Sequence, residues 1–232
     1  MVKILHLFPK LMNLYGEYAN IVILRKHLDD QGIKTSVDVK EVDDKINFGK
    51  YDFVYMGSGT ESNQLVALDA LLKYKDDIKK YVESNKTLLF TGNAMELLGK
   101  KIDAYQALEI FDFDVAHTEK RYTGDVIVKH QDAGYVVGYI NRSSSIIPRS
   151  DSRLFDYIFM DDGVNDNKSE GFTKNKTYAT HIIGPILVKN PDFLNVIIKN
   201  VAPENYDFKN IRYDYEVDSY ITTLLALKDR IK

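Results

Sequence analysis

A doubly wound α/β fold, with a mainly parallel sheet and flanking helices, is predicted by three observations. Short apolar runs alternate with longer stretches of helical spacing over the first hundred residues, the rhythm of a parallel sheet with crossover helices. Pro9 closes the first apolar run and the glycine-rich turn at Gly57 closes the third. At Thr87–Gly99 a run of strand character passes into a tight, glycine-bounded turn and helix, the layout of a nucleophile elbow at the carboxyl edge of a sheet. After Gly99 the rhythm changes to short strand-like segments, which predicts a small antiparallel strand insertion beside the main sheet. With 232 residues and 44% hydrophobic content the chain can bury one large core, and residues 1–232 are read as a single domain.

The elements follow in order. Lys3–Phe8 reads as a buried strand ended by Pro9, and Tyr18, Ile21, Leu24 and Leu28 keep helical spacing up to Gly32. Thr35–Val39 and Tyr51–Met56 suit the second and third strands, the latter running into the turn Gly57-Ser58-Gly59-Thr60. One helix is predicted from about Ser62 to Ser84, with Leu65, Leu68, Leu72, Ile78 and Val82 on its apolar face and the Lys/Asp-rich stretch 73–80 toward solvent. Ile110–Thr118, Gly124–Lys129 and Tyr135–Ile140 form the antiparallel part, and Thr177–Ile183 returns as a core strand. Asn190 before Pro191 places a capping residue ahead of proline at the first helical position, so a helix is expected over 191–201, with a last one from Val217 to Ile231.

Composition excludes several classes of function. Thirty-one lysines and arginines against 34 acids give a net charge of -3 with the two signs interleaved, so no nucleic-acid-binding face is expected. No run approaches 18 apolar residues and Met1–Phe8 lacks the features of a signal peptide, so no membrane association is expected and a cytoplasmic location is. The chain has no cysteine, which removes disulfides and cysteine-based metal sites. Asp161-Asp162-Gly163-Val164-Asn165-Asp166 is rich in oxygen ligands, yet it lacks the alternating spacing and distal glutamate of a calcium loop and reads as a solvated turn. No metal and no cofactor are expected.

Four motifs occur in the order of one family: Asn13-Leu14-Tyr15-Gly16 with Asn20-Ile21; Gly57-Ser58-Gly59-Thr60-Glu61 with Gln64; Arg121-Tyr122-Thr123-Gly124-Asp125; and Gly184-Pro185-Ile186-Leu187. The chain resembles a class I glutamine amidotransferase of the cobyric acid synthase type, a flavodoxin-like fold, over roughly residues 3 to 200. Within that group it is most similar to the amidotransferase subunit of lipid II isoglutaminyl synthase, which works with a Mur-ligase-like subunit. The resemblance implies that partner and glutamine, or a related small ligand, as candidate partners of this chain.

The resemblance also implies where the chemistry belongs. The family's cysteine attacks the glutamine side-chain amide from an elbow of the form Cys-Gly-Gly-Tyr-Gln-x-Leu-Gly. Aligned on Leu98-Gly99, that cysteine falls on Gly92, the two glycines on Asn93 and Ala94, the tyrosine on Met95 and the glutamine on Glu96. The family's general base is a histidine directly before Gly-Pro, and Ile183 stands there. Both changes point to a non-catalytic homologue that binds a partner or a small ligand through the inherited cleft. The alternative is an active glutaminase subunit using rearranged residues, with His181, Glu96 and Glu170 as candidates, supplying ammonia for amidation in cell-wall or cobalamin-type biosynthesis.

Neighbouring residues offer limited replacements. His181 shares a strand face with Ile183, offset by roughly 6.6 Å, too far for proton transfer at the same point without a register shift. It reads first as a hydrogen-bonded core histidine. Thr91 is the hydroxyl beside Gly92, but its side chain should leave the strand on the opposite face. By resemblance, backbone N–H groups of Gly57-Ser58-Gly59 hold an oxyanion, Asn93 lies beside them, and Arg121 pairs with a substrate α-carboxylate through its bidentate guanidinium. On composition alone the glycine turn equally closes a strand, and Arg121 equally is a solvated surface residue.

Overall fold

The computed structural model describes residues 1–161, 169–209 and 211–231. The first half builds the parallel layer: β1 (Val2–Leu7), α1 (Ala19–Gln31), β2 (Thr35–Lys40), β3 (Phe53–Met56), α2 (Glu61–Leu72), α3 (Lys75–Glu83) and β4 (Thr87–Thr91). The second half adds β5 (Lys101–Ile102), β6 (Tyr105–Gln106), β7 (Phe113–His130), β8 (Gly134–Pro148), β9 (Arg153–Met160), β10 (Ser169–Lys174) and β11 (Thr177–Thr180). Three helices close the described chain: α4 (Ile186–Lys189), α5 (Pro191–Val201) and α6 (Asp214–Lys228).

The strands form one sheet in the order β2-β1-β3-β4-β11-β10-β9-β7-β5-β6, with β8 paired to β7. β1 pairs in parallel with β2 and β3, and β4 with β3 and β11. Alternation along these strands feeds two cores. Leu5, Val54, Leu88 and Phe90 pack with α2 and α3 residues such as Leu68, Leu71 and Ile78 on one face. Ile4, Phe53, Tyr55 and Leu89 pack with α1 and α5 residues such as Leu24, Leu28 and Phe193 on the other. Burial of strands on both faces explains their continuous apolar runs, each large side chain contributing about 1.5–3 kcal/mol relative to exposure.

Several expectations are corrected. The single helix over 62–84 is two, because the chain turns at Lys73 and Tyr74 and sets the Tyr74 ring against Phe48 at 5.8 Å while its hydroxyl accepts from Ile46 N–H. The segments 110–118 and 124–129 belong to one 18-residue strand, β7, whose pairing with β8 shifts register between His117 and Tyr122. The antiparallel part continues the main sheet and is larger than expected, because β9 and β10 join it. Strand β11 ends at Thr180, before the expected Ile183, whose backbone then bridges Tyr139. The last helix begins at Asp214 and ends at Lys228. The acidic turn at 161–166 lies outside the described residues beyond Asp161.

Asn190 does not cap α5 with its side chain. Its carboxamide is buried, accepting from Val137 N–H at 2.8 Å and donating to the Val137 and Ile186 carbonyls, each at 2.8 Å. It thereby pins the α4–α5 joint to β8. Asn190→Ala leaves one donor and two acceptors buried without partners and is expected to lower stability by about 2–4 kcal/mol in urea unfolding. A loss below about 0.5 kcal/mol would contradict this role.

Candidate functional site

The site lies at the carboxyl ends of β1, β3 and β4, where an open parallel sheet places its ligand crevice. A cavity of about 170 Å³ is bounded by Tyr15 after β1, Ser58–Glu61 after β3, and Asn93 and Glu96 after β4. Arg121, from the irregular stretch of β7, and Asn141–Ser144 of β8 supply the opposite wall. Of the sequence-derived ligand residues, Ser58, Gly59, Asn93 and Arg121 face this cavity. Gly57 does not line it. A Cβ on Gly57 would stand 2.9 Å from both Glu17 Oε2 and the Met12 carbonyl oxygen, so the glycine lets the loop after β1 close against the turn.

The elbow has its expected apex and a different continuation. Gly92 has φ +59°, in the left-handed region, and residues Gly92–Leu98 form a 3₁₀ helix of tight i→i+3 bonds in place of an α-helix. A Cβ on Gly92 would meet Ser58 Cβ and Oγ at 2.5 Å and Ile183 Cγ2 at 3.0 Å. The space in which an elbow side chain would start is therefore filled by Ser58, with an isoleucine methyl beside it.

Beneath this turn sits an acid that sequence reading passed over. Glu17 is fully buried; its Oε2 accepts from Ser58 N–H at 2.6 Å and its Oε1 from the Thr91 hydroxyl at 2.7 Å. Burial pushes its carboxyl up to about 7, against the opposing pull of those two hydrogen bonds. Thr91 also bonds the Tyr55 hydroxyl at 3.0 Å, and Tyr55 accepts from Asn20. Thr91 is thus committed to a structural chain. The amides expected to hold an oxyanion are engaged too, since Ser58 N–H is given to Glu17 and Gly59 N–H to Asn93 Oδ1 at 2.9 Å.

The three titratable candidates do come together. His181 Nε2 lies 3.0 Å from Glu96 Oε1, and its backbone N–H donates to Glu170 Oε1 at 2.7 Å, with Nδ1 at 3.8 Å from that oxygen. Glu96 also accepts from Gln64 Nε2 at 2.7 Å and from the Ser144 hydroxyl, while Glu170 accepts from Thr180 Oγ1 at 2.6 Å. Burial raises both acids. For Glu96 the hydrogen bond and charge of His181, with Ser144 and Gln64, outweigh burial and hold it below its usual range; for Glu170 burial prevails. Only Glu96 reaches the main cavity. His181 and Glu170 border a separate void of about 30 Å³ with Arg142.

Arg121 Nη1 donates to Asn141 Oδ1 at 2.9 Å, its Nη2 lies 3.7 Å from Glu61, and Asn141 donates to the Tyr15 hydroxyl at 2.9 Å. Burial raises the Tyr15 phenol, opposed chiefly by the Arg121 charge. Arg142 and Ser144 were missed by sequence reading because nothing in their spacing distinguishes them from ordinary strand-end polar residues. Among the described residues no cluster of three or more acids or histidines could hold a metal ion, and no helix is long and apolar enough to cross a membrane.

The doubly wound sheet, with its tight turns after β3 and β4, is the architecture of class I glutamine amidotransferases. The chain matches the CobB/CobQ-like glutamine amidotransferase domain over residues 3–191 and belongs to that family. It is 27% identical over 207 residues to the Staphylococcus aureus protein named lipid II isoglutaminyl synthase (glutamine-hydrolyzing) subunit GatD, covering 87% of this chain and 84% of that one. The Streptococcus pneumoniae protein of the same name is 23% identical, with 88% and 82% covered. In fold the chain is similar to a glutamine amidotransferase crystal structure (TM-score 0.57, 12% identity, 85% of this chain and 98% of the other). It is also similar to one from Thermotoga maritima (0.55, 11%, 98% and 92%) and to the Trypanosoma brucei CTPS glutaminase domain with bound acivicin (0.51, 10%, 92% and 98%).

The Glu17 environment fixes a pH dependence. Its folded value of about 7 lies above the ordinary 4.5, so the native state holds a proton that the unfolded chain has released. The stability this group contributes is present below about pH 4.5 and is lost as pH rises through about 7, by about 3 kcal/mol in total. Glu17→Gln keeps an acceptor for Ser58 and removes the ionisation. Its stability relative to the parent is expected to be about 3 kcal/mol more favourable at about pH 8 than at about pH 4.5, read by urea unfolding. Equal effects at both pH values would contradict the assignment.

Proposed function

We propose that this chain is a non-hydrolysing member of the glutamine amidotransferase family, which uses the inherited cleft to hold a small amino-acid-like ligand and docks a Mur-ligase-like synthase subunit. The observation that carries this reading is Gly92: the elbow apex bears no side chain, and Ser58 fills the space where one would begin. Ile183, aligned with the family base, places a methyl group at that point and accepts no proton. The partner comes from the resemblance, and the relatives' names as subunits of lipid II isoglutaminyl synthase support it. That the ligand is amino-acid-like is supported by the paired charges of Arg121 and Glu61 at the cavity wall.

The second reading, hydrolysis by rearranged groups, draws on Ser144, whose hydroxyl donates to Glu96. Glu96 is a poor base there, since its neighbours hold it below its usual range. His181 faces Glu96 and Glu170 and, among the described residues, makes no hydrogen bond to the Ser144 hydroxyl. An enzyme of this kind would lose activity in Glu96→Gln or His181→Ala with the fold retained.

The test is glutamate release from L-glutamine. The unmodified chain is expected to match the buffer blank, whereas turnover on the order of 1 s⁻¹ would overturn the reading. Restoring Gly92→Cys and Ile183→His alone should stay weak, because the new Cβ collides with Ser58. Adding Ser58→Gly removes that collision, and the triple variant is expected to release glutamate measurably above the double.

A further inference from the structure

The turn after β3 directs three polar groups at the side chain of Asn93. Gly59 N–H donates to Asn93 Oδ1 at 2.9 Å, and the Ser58 hydroxyl donates to the same oxygen at 3.1 Å. In return Asn93 Nδ2 donates to the Gly59 carbonyl at 2.9 Å. Two donors on one carbonyl oxygen, with an acceptor for the adjoining NH₂, make a recognition pattern for a primary carboxamide. The three residues line the main cavity, so this seat borders the space a ligand would enter.

We propose that Asn93 is a tethered carboxamide occupying this seat, so that the cleft selects small amino acids by their α-amino and α-carboxylate groups and does not read a side-chain carboxamide. The inference rests on the reading of the cleft as a site for an amino-acid-like ligand. A free carboxamide would have to displace one that is covalently held in place, whose effective concentration lies in the millimolar range or above. The exchange brings little return, because the hydrogen bonds lost equal those gained. What the cavity leaves accessible is the far wall. Arg121 and Arg142 offer guanidinium groups for a carboxylate there, and Glu61 a carboxylate for an ammonium. Arg142 Nη1 donates to the Ser144 carbonyl, and its Nε is buried and makes no hydrogen bond among the described residues.

Isothermal titration calorimetry of the full chain with L-glutamine and L-alanine tests this. L-alanine shares the α-amino and α-carboxylate groups and lacks the carboxamide. The unmodified chain is expected to bind the two within about threefold of one another. Asn93→Gly, which vacates the seat, should bind L-glutamine about tenfold or more tightly than the parent while L-alanine moves less than about threefold. Asn93→Ala, should the glycine variant fail to fold, is expected to move in the same direction, whereas Asn93→Asp keeps an oxygen in the seat and should not gain. Parent binding of L-glutamine about tenfold tighter than L-alanine would overturn the inference, as would unchanged L-glutamine affinity in both seat-vacating variants. No binding of either amino acid by any of these proteins would overturn it as well, while the absence of hydrolysis would still be judged by glutamate release.

Discussion

The carboxyl group of Glu17 joins three segments that are distant in sequence and adjacent at the sheet edge. One oxygen holds Ser58 N–H, at the turn after β3; the other holds Thr91, the last residue of β4 before the elbow. Through Thr91 and Tyr55 the chain of bonds continues to Asn20 on α1, whose Oδ1 accepts from Leu187 N–H. The loop after β1, the glycine turn, the elbow strand and the start of α4 are thus set relative to one another by one buried polar network. Burial without a cation is tolerable because the acid protonates readily and keeps two partners. Every later feature of the site, including the close approach of Ser58 to Gly92, depends on that positioning.

Around this frame the turn after β4 is closely packed. Gly92 has no side chain, Ser58 occupies the space beside it, Ile183 lines that space with a methyl group, and Asn93 satisfies the turn that faces the cavity. On the other side Glu96, His181 and Glu170 form a buried chain in which each carboxylate has several hydrogen-bond partners. Such a network fixes geometry at a low net gain in stability, because desolvation opposes the attraction between the charges. Its effect is to anchor the 3₁₀ turn to β10 and to the end of β11, keeping one wall of the cleft rigid.

Sequence reading reached the parallel half of the fold because strands buried on both faces must be continuously apolar, as in Phe53–Met56 and Thr87–Thr91. It failed where that signal fades. The stretch between Thr118 and Thr123 is polar because it crosses an exposed bulge, so β7 looked like two strands. β9 and β10 were not anticipated: β9 mixes charged and aromatic residues on a partly exposed ladder, and β10 holds Glu170, which is buried with hydrogen bonds from Thr180 of β11 and His181 just after it. Gly92 and Ile183 could be assigned positions from sequence because Leu98-Gly99 and Gly184-Pro185 fix the spacing, and the fold brings the two together; Arg121, read from a contiguous motif, lies at the cavity. Glu17 was not legible, since a lone acid between Gly16 and Tyr18 looks solvated until the fold places Ser58 and Thr91 against it.

The proposed function requires that the elbow carry no nucleophilic chemistry. The most direct test is intact-mass spectrometry after incubation with acivicin, the molecule bound in the structurally similar Trypanosoma brucei glutaminase domain. With no side chain at Gly92 and its space filled, the mass is predicted to stay unchanged. A stoichiometric adduct mapped to any cleft residue would contradict the claim and identify the group that had taken over the reaction.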